Sequence, residues 1–484
     1  MRKDSQPKAI KSIKSGPLAR GISLARAGLR ASVNLGSYSL SSLLASGERR
    51  QELRQQLLTE QAQLLARELG RLKGSVMKLG QLLALYGEQF LLPPEVVAAL
   101  RTLQDNSAPL EWEVLKPVLE QELDSRRLAE LEIDPEPLAA ASLGQVHRAR
   151  RRRDGLELCI KIQYPGVAES INSDLNTLST LLLFAQVLPA SFNLNEMLAE
   201  VRQMLAREID YEQERQTTER FRRLLQGDNR FRVPETFADY STQRILTTSY
   251  EPGLTVDGPQ TRSLDQARRN RLGAAALELF LREFFDWNLV QTDPHFGNYR
   301  LRPDPTGEQD RLILLDFGAV RQFPDAFRFP YYELVRAAFW GDKERLWQAA
   351  VELNFMPANA PQAALERFAE MCFLIIEPFT AADSQESAAS LFNAAGEYRW
   401  GASDLPQRVA LVASKASLSF SFRVPPKEFI FLHRKLGGVF VFLAEIDVEL
   451  DARPLLLPYM GKPSASVATS PITLTAPIEH CCPQ

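Results

Sequence analysis

Asp293, Asn298 and Asp316 are the residues whose types and spacing point most directly to chemistry. Asp293 and Asn298 stand five positions apart in Q-T-D-P-H-F-G-N, and Asp316 follows the apolar run L-I-L-L and opens D-F-G. A polar, turn-rich connection separates the two pieces, and the apolar run reads as a buried strand. That strand can return Asp316 to the side of Asn298. Two carboxylates and one amide oxygen at a single point are what a hard divalent cation bridging a nucleotide's phosphates requires. The expected ligand is magnesium with ATP or ADP. Asn298 and Asp316 would be the metal donors, and Asp293 would orient or deprotonate the attacking hydroxyl or water.

Lys161, in the strand-like segment C-I-K-I, is placed to reach the α and β phosphates. A carboxylate on a following long helix should hold it there, and Glu214 is the candidate. These pieces, in this order, recur in protein-kinase-like folds. The expected phosphate loop departs from that pattern. In place of a glycine-rich run it reads Ala139, Ala140, Ala141, Ser142, Leu143, Gly144, Gln145. Alanine resists the positive φ that glycine permits, so the loop should close over phosphates differently. No A-P-E follows D-F-G, which removes the usual platform for a protein substrate.

The elements that must position these groups form an α+β chain with two lobes. A basic arm (1–50) precedes a helical extension (51–134), a small strand-containing lobe (135–255), a helical lobe (256–460) and a polar tail (461–484) expected to be disordered. The extension carries Lys78 and Gln81, three apart on one helical face, which periodicity alone reads as a solvated edge. Strands are expected at Gln145–Arg150 and Leu158–Gln163 around an Asp154-Gly155 turn. The arginines at 148 and 150–153 read as a solvated hairpin tip. One helix is expected over Asn195–Gln226 and another over Ser263–Trp287. In an unbroken helix Asp210 and Glu214 would lie about 40° apart, with Glu208 roughly 160° from Asp210. Either the helix is interrupted near Tyr211 or these residues face different partners.

With 484 residues, 45% hydrophobic and 24% charged, the chain can bury a large core. A net charge of -3 supplies no general drive towards nucleic acid. The four cysteines lack metal-site spacing. No apolar run reaches the length of a spanning helix. Residues 1–47 hold eight Lys or Arg against one acid, which suits a basic amphipathic helix at an anionic membrane surface, a transit peptide or a flexible arm.

Taken together, K-L-G-Q, A-A-A-S-L-G-Q-V-H, K-I-Q-Y-P-G-V, E-I-D-Y-E-Q-E, Q-T-D-P-H-F-G-N, L-L-D-F-G-A and H-R-K-L-G-G resemble the UbiB (AarF) family of atypical kinases. The resemblance implies a bilobal protein-kinase-like fold, magnesium-dependent ATPase activity and support of ubiquinone biosynthesis at a membrane. It also implies that the helix bearing Lys78 and Gln81 occludes the protein-substrate side, working with Glu208 and Asp210. Implied partners are an anionic membrane surface, lipid-like quinone precursors and quinone-biosynthesis enzymes. The implied location is the cytoplasmic side of a bacterial inner membrane or, as the alternative, the matrix side of the mitochondrial inner membrane. Two other functions fit the residues: a small-molecule phosphotransferase, because D-P-H-F-G-N resembles the D-x-H-x-x-N of aminoglycoside and choline kinases with His295 as an orienting group, and a nucleotide-sensing scaffold without catalysis.

Overall fold

The computed structural model describes residues 56–57, 59–64, 96–98, 109–140, 143–185, 194–380, 391–409 and 426–461. Lys78 and Gln81, the basic arm and the tail from 462 lie outside the described residues.

Two helices, α1 (Trp112–Glu122) and α2 (Ser125–Ala129), lead into an antiparallel sheet of order β1-β2-β3-β5. Its strands are β1 (Leu131–Ala140), β2 (Gly144–Arg151), β3 (Glu157–Gln163) and β5 (Ile245–Ser249). The β2–β3 hairpin falls where alternation places it, and Gly155 takes φ +71 at its turn. At the tip, Arg148 pairs with Glu157 at 2.8 Å and Arg151 with Asp154 at 2.6 Å.

Residues directly opposite one another in a sheet share a face. Val146, Lys161 and Leu246 are in register on one face, while Gln145 with Ile162, and His147 with Ile160, lie on the other. Helix α1 covers this second face through buried Leu115 and Leu119, and the Trp112 ring lies 4.9 Å from that of His147.

Strand β1 contains Pro135 and Pro137, residues that ordinarily interrupt a strand. Both prolines sit in an edge strand whose register shifts between Ile133 and Ala139, and edges and bulges are where strands tolerate proline. The lobe boundary expected at 135 therefore falls inside β1.

After α3 (Val167–Ala185), the helix expected over Asn195–Gln226 is two helices, α4 (Leu194–Glu208) and α5 (Tyr211–Leu224). The break falls at Asp210, whose side chain caps α5 by accepting the Gln213 N–H at 3.0 Å. Tyr211, Glu214, Thr218 and Phe221 form the buried face of α5.

In the helical lobe, α6 (Gln266–Leu281) is capped by Asp265 and runs into a π-helical turn at Arg282–Asp286. A mixed sheet of order β4-β8-β7 joins β4 (Phe231–Arg232), β7 (Tyr299–Arg302) and β8 (Arg311–Leu314). Strand β4 is only two residues long. A second pair joins β6 (Val290–Gln291) to β9 (Val320–Arg321). The lobe continues with α7 (Asp325–Trp340), α8 (Lys343–Glu352), α9 (Gln362–Ile376), α10 (Lys427–Glu445) and α11 (Arg453–Met460).

Candidate active site

Asn298 immediately precedes β7, and Asp316 lies two residues past the end of β8. Because Tyr299 is in register with Leu314, and the Leu315 N–H donates to the Asn298 carbonyl at 2.9 Å, the antiparallel ladder brings the two donors to the same end of the hairpin. Asn298 Nδ2 donates to the carboxylate and the carbonyl of Asp293, each at 3.0 Å. That arrangement leaves the amide oxygen to act as a donor to a cation. Asp316 Oδ1 accepts the Gly318 N–H at 2.9 Å.

The Lys161 ammonium lies 2.8 Å from both oxygens of Glu214 and 3.1 Å from Asp316 Oδ2. Burial alone would lower its pKa, but the carboxylates of Asp316 and Glu214 outweigh burial and hold it well above the ordinary value. Burial, then the like charge of Asp316, pushes Glu214 up to about 7 against the pull of Lys161. The lysine therefore remains a fixed cation.

Residues not singled out in the sequence complete this corner. The Tyr211 ring lies 5.0 Å below the Lys161 ammonium. A Cβ on Gly144 would stand 2.6 Å from the Tyr211 hydroxyl and 2.4 Å from the Ile162 carbonyl oxygen, so this one glycine is required for close approach. The Phe317 ring of D-F-G packs 4.6 Å from Phe221 on α5. Helix α5 thus holds both Glu214 against Lys161 and D-F-G beneath them.

The expected phosphate loop is corrected. Ala139 and Ala140 belong to β1, and Gly144 and Gln145 to β2, which confines the turn to 141–143. Ala141 and Ser142 lie outside the described residues, and Leu143 is buried. Gln145 is fully buried on the face opposite Lys161, where its amide accepts the Leu110 N–H at 2.9 Å and donates to the Leu110 carbonyl at 3.2 Å. It ties the segment before α1 to the sheet and is not a nucleotide ligand. His147 extends the tie, its Nδ1 meeting the Asp134 carbonyl at 2.8 Å.

Glu208 ends α4 and Asp210 caps α5, so the two occupy different elements. His295 Nδ1 accepts the Gly297 N–H at 2.9 Å and caps the local turn. This bond accounts for the histidine without substrate contact.

H-R-K-L-G-G contributes the wall opposite Asp293. Arg434 donates to Asp293 Oδ1 at 2.7 Å. Lys435 is buried, 3.3 Å from Glu283 and 3.1 Å from the Tyr299 hydroxyl. A Cβ on Gly438 would lie 2.0 Å from that of Pro294. Cation, cation and small residue at these helical positions were the available signal for this wall.

The segment after D-F-G returns at once into the β6–β9 pair. The Asn288 side chain then clamps both backbone groups of Phe323, at 2.9 and 3.0 Å. The return after D-F-G is thereby pinned to the turn that precedes β6.

A family model for the ABC1 atypical kinase-like domain matches residues 102–350, more than half of the chain. The chain belongs to the ABC1 atypical kinase-like family. It is 33% identical over 436 residues to "Atypical kinase COQ8B, mitochondrial" of Danio rerio, covering 89% of this chain and 66% of that protein. It is 33% identical over 451 residues to the Rattus norvegicus protein of the same name, covering 92% and 81%. The chain thus spans just under two thirds of the zebrafish relative. A solved complex of Rv3197 with erythromycin from Mycobacterium tuberculosis shares the fold, with a TM-score of 0.56 at 23% identity over 86% of this chain and 100% of that one. Family membership and a bilobal α+β kinase-like fold agree with the resemblance read from the motifs.

Proposed function

We propose that this chain is a magnesium-dependent, kinase-like ATPase that supports ubiquinone biosynthesis at a membrane. The observation that carries the nucleotide part is the Lys161 ammonium, held between Glu214 and Asp316 on the face of β3 turned towards Tyr211. Its position presents a fixed positive charge to phosphates without the cost of ordering a free lysine. Asn298 and Asp316 would hold the metal, and one carboxylate with one amide fits magnesium, which keeps several waters and takes few protein ligands. Among the described residues no cluster of three or more His, Cys, Asp or Glu is placed to hold a metal, and this mode needs none. Bound magnesium would neutralise the charge that develops on the phosphates.

Asp293 would orient the attacking water. Its Oδ1 is engaged by Arg434 and its Oδ2 by Asn298, so accepting a proton requires Arg434 to share or release that oxygen. The pinned return after D-F-G favours hydrolysis, or transfer to a small acceptor, over phosphorylation of a docked protein.

The biological role rests on the family and on the names of the relatives. Two features support peripheral rather than spanning membrane contact: the basic arm, and the lack among the described residues of any helix long and apolar enough to cross a bilayer. The relatives' mitochondrial names favour a mitochondrial over a bacterial placement, and the matrix side of the inner membrane is part of the proposal. Anionic lipid and quinone precursors are the proposed partners, and occlusion by Lys78, Gln81, Glu208 and Asp210 is part of the same proposal.

The test is complementation of a strain lacking its own family member with wild type and Asp316→Asn, with ubiquinone quantified and Mg-ATP hydrolysis assayed on the purified full chain. Wild type should restore quinone and hydrolyse ATP, and the variant should do neither. Equal quinone from both would sink the proposal.

A further inference from the structure

Gln291 lies two residues before Asp293 and is buried, 4% exposed. Its side-chain oxygen accepts the Asp293 N–H at 3.2 Å, and its side-chain nitrogen donates to the Asp316 carbonyl at 3.3 Å. One amide therefore bridges the two carboxylate-bearing segments, and its own backbone is paired with Val320 beyond D-F-G.

Behind it, the Gln291 N–H donates to Glu283 Oε2 at 3.3 Å. Glu283 is aimed inward from the π-helical turn. Such turns interrupt a helix to re-aim side chains, often at functional sites. Lys435 completes the chain of contacts, 3.3 Å from the same carboxylate and 3.1 Å from the hydroxyl of Tyr299, the residue after Asn298. Glu283 and Lys435 are 1% and 2% exposed. An ion pair this deep contributes little net stability over well-packed apolar residues. Its value must lie in geometry. The network touches the segments of Asp293, Asn298 and Asp316 at once.

We propose that Gln291, backed by the Glu283–Lys435 pair, is a positioning residue that sets the separation of the Asp293 and Asp316 carboxylates. This rests on the magnesium-nucleotide reading of the site, which it deepens. Gln291→Leu keeps the bulk of the side chain and removes both bonds, while the double variant Glu283→Gln/Lys435→Met removes the backing pair without orphaning either charge.

The experiment measures three quantities on the full-length wild type, on Gln291→Leu and on the double variant: turnover of Mg-ATP, the magnesium concentration for half-maximal turnover, and peptide-level hydrogen exchange across 290–299 and 315–320. Thermal unfolding confirms that each variant is folded. For Gln291→Leu the expected result is at least about a tenfold fall in turnover, a similar rise in the magnesium requirement and faster exchange in both peptides. The double variant should show the same pattern in smaller measure. All three readouts within twofold of wild type would overturn the proposal. So would a turnover loss with unchanged exchange and magnesium dependence, which would mean that Gln291 affects turnover without holding the two carboxylate-bearing segments in place. If wild type neither binds nor hydrolyses Mg-ATP while exchange accelerates in Gln291→Leu, the nucleotide reading fails and the positioning role stands.

Discussion

Lys161 illustrates how little a residue type says without its partners. An isolated buried lysine tends to lose its proton, but here two carboxylates within 3.1 Å keep it charged. Asp316 is shared between that lysine and the proposed metal, so Asp316→Asn replaces an anionic metal ligand by a neutral one and removes half of the lysine's countercharge together. We expect roughly a hundredfold loss of Mg-ATP hydrolysis in a folded protein, read by phosphate release beside a thermal melt. Gly144 is a second residue-scale test. In Gly144→Ala the new methyl would press on the Ile162 carbonyl and the Tyr211 hydroxyl, and overpacking of this kind costs about 1–3 kcal/mol. Because Tyr211 lies beneath Lys161, nucleotide affinity should fall with stability, as measured by calorimetric titration with ADP.

At the scale of an element, α10 acts as one unit. Its turn at 433–438 faces Tyr331, Asp293, Glu283 and Pro294 in succession. Gly438→Ala would drive a methyl into Pro294 and should destabilise the protein by about 1–3 kcal/mol in urea, with slower turnover because Pro294 adjoins Asp293. His433 stacks on Phe429 at 3.7 Å and meets the Tyr331 hydroxyl at 3.0 Å. Burial pushes its pKa down to about 3 from an ordinary value of 6.5. Between those values the unfolded chain binds a proton that the folded one refuses. Stability from this group is therefore present above pH 6.5 and is lost as pH falls, by up to about 1.4 kcal/mol per unit. In denaturant titrations from pH 7 to 5, His433→Phe should show the shallower dependence.

Across the whole molecule, a few polar ties join parts that are distant in sequence. Glu251, just after β5, pairs with Arg232 of β4 at 2.9 Å and Arg302 of β7 at 2.7 Å, which locks the end of the small sheet to the sheet of the helical lobe. Glu200 on α4 meets Arg321 and Lys427, joining the small lobe's helices to the return after D-F-G and to α10. Gln145 joins the segment before α1 to the small sheet. Gln145→Leu would orphan the Leu110 N–H and carbonyl, at a cost of about 1–3 kcal/mol. The check is urea denaturation together with hydrogen exchange over 109–112, which should accelerate while ADP affinity stays near that of wild type. A large loss of affinity with unchanged exchange would return Gln145 to the nucleotide side.

Residue order alone determines the two-lobed α+β plan, the β2–β3 hairpin, the family, and the candidacy of Lys161, Glu214, Asp293, Asn298 and Asp316. Hydrophobic period and the spacing of hard oxygen donors are local properties, so a linear chain displays them. What it cannot display is which face of a strand a residue occupies relative to a distant partner. Register decided that Gln145 points away from Lys161, and edge position decided that two prolines belong to a strand. A capping bond at Asp210 decided that one expected helix is two. The site's wall was hidden for the same reason: Arg434 and Lys435 stand 141 and 152 residues from Asp293 and Glu283, and only packing of α10 against Pro294 brings those charges together. Chemistry was legible where donors are close in sequence; positioning was decided by contacts that only the folded chain makes.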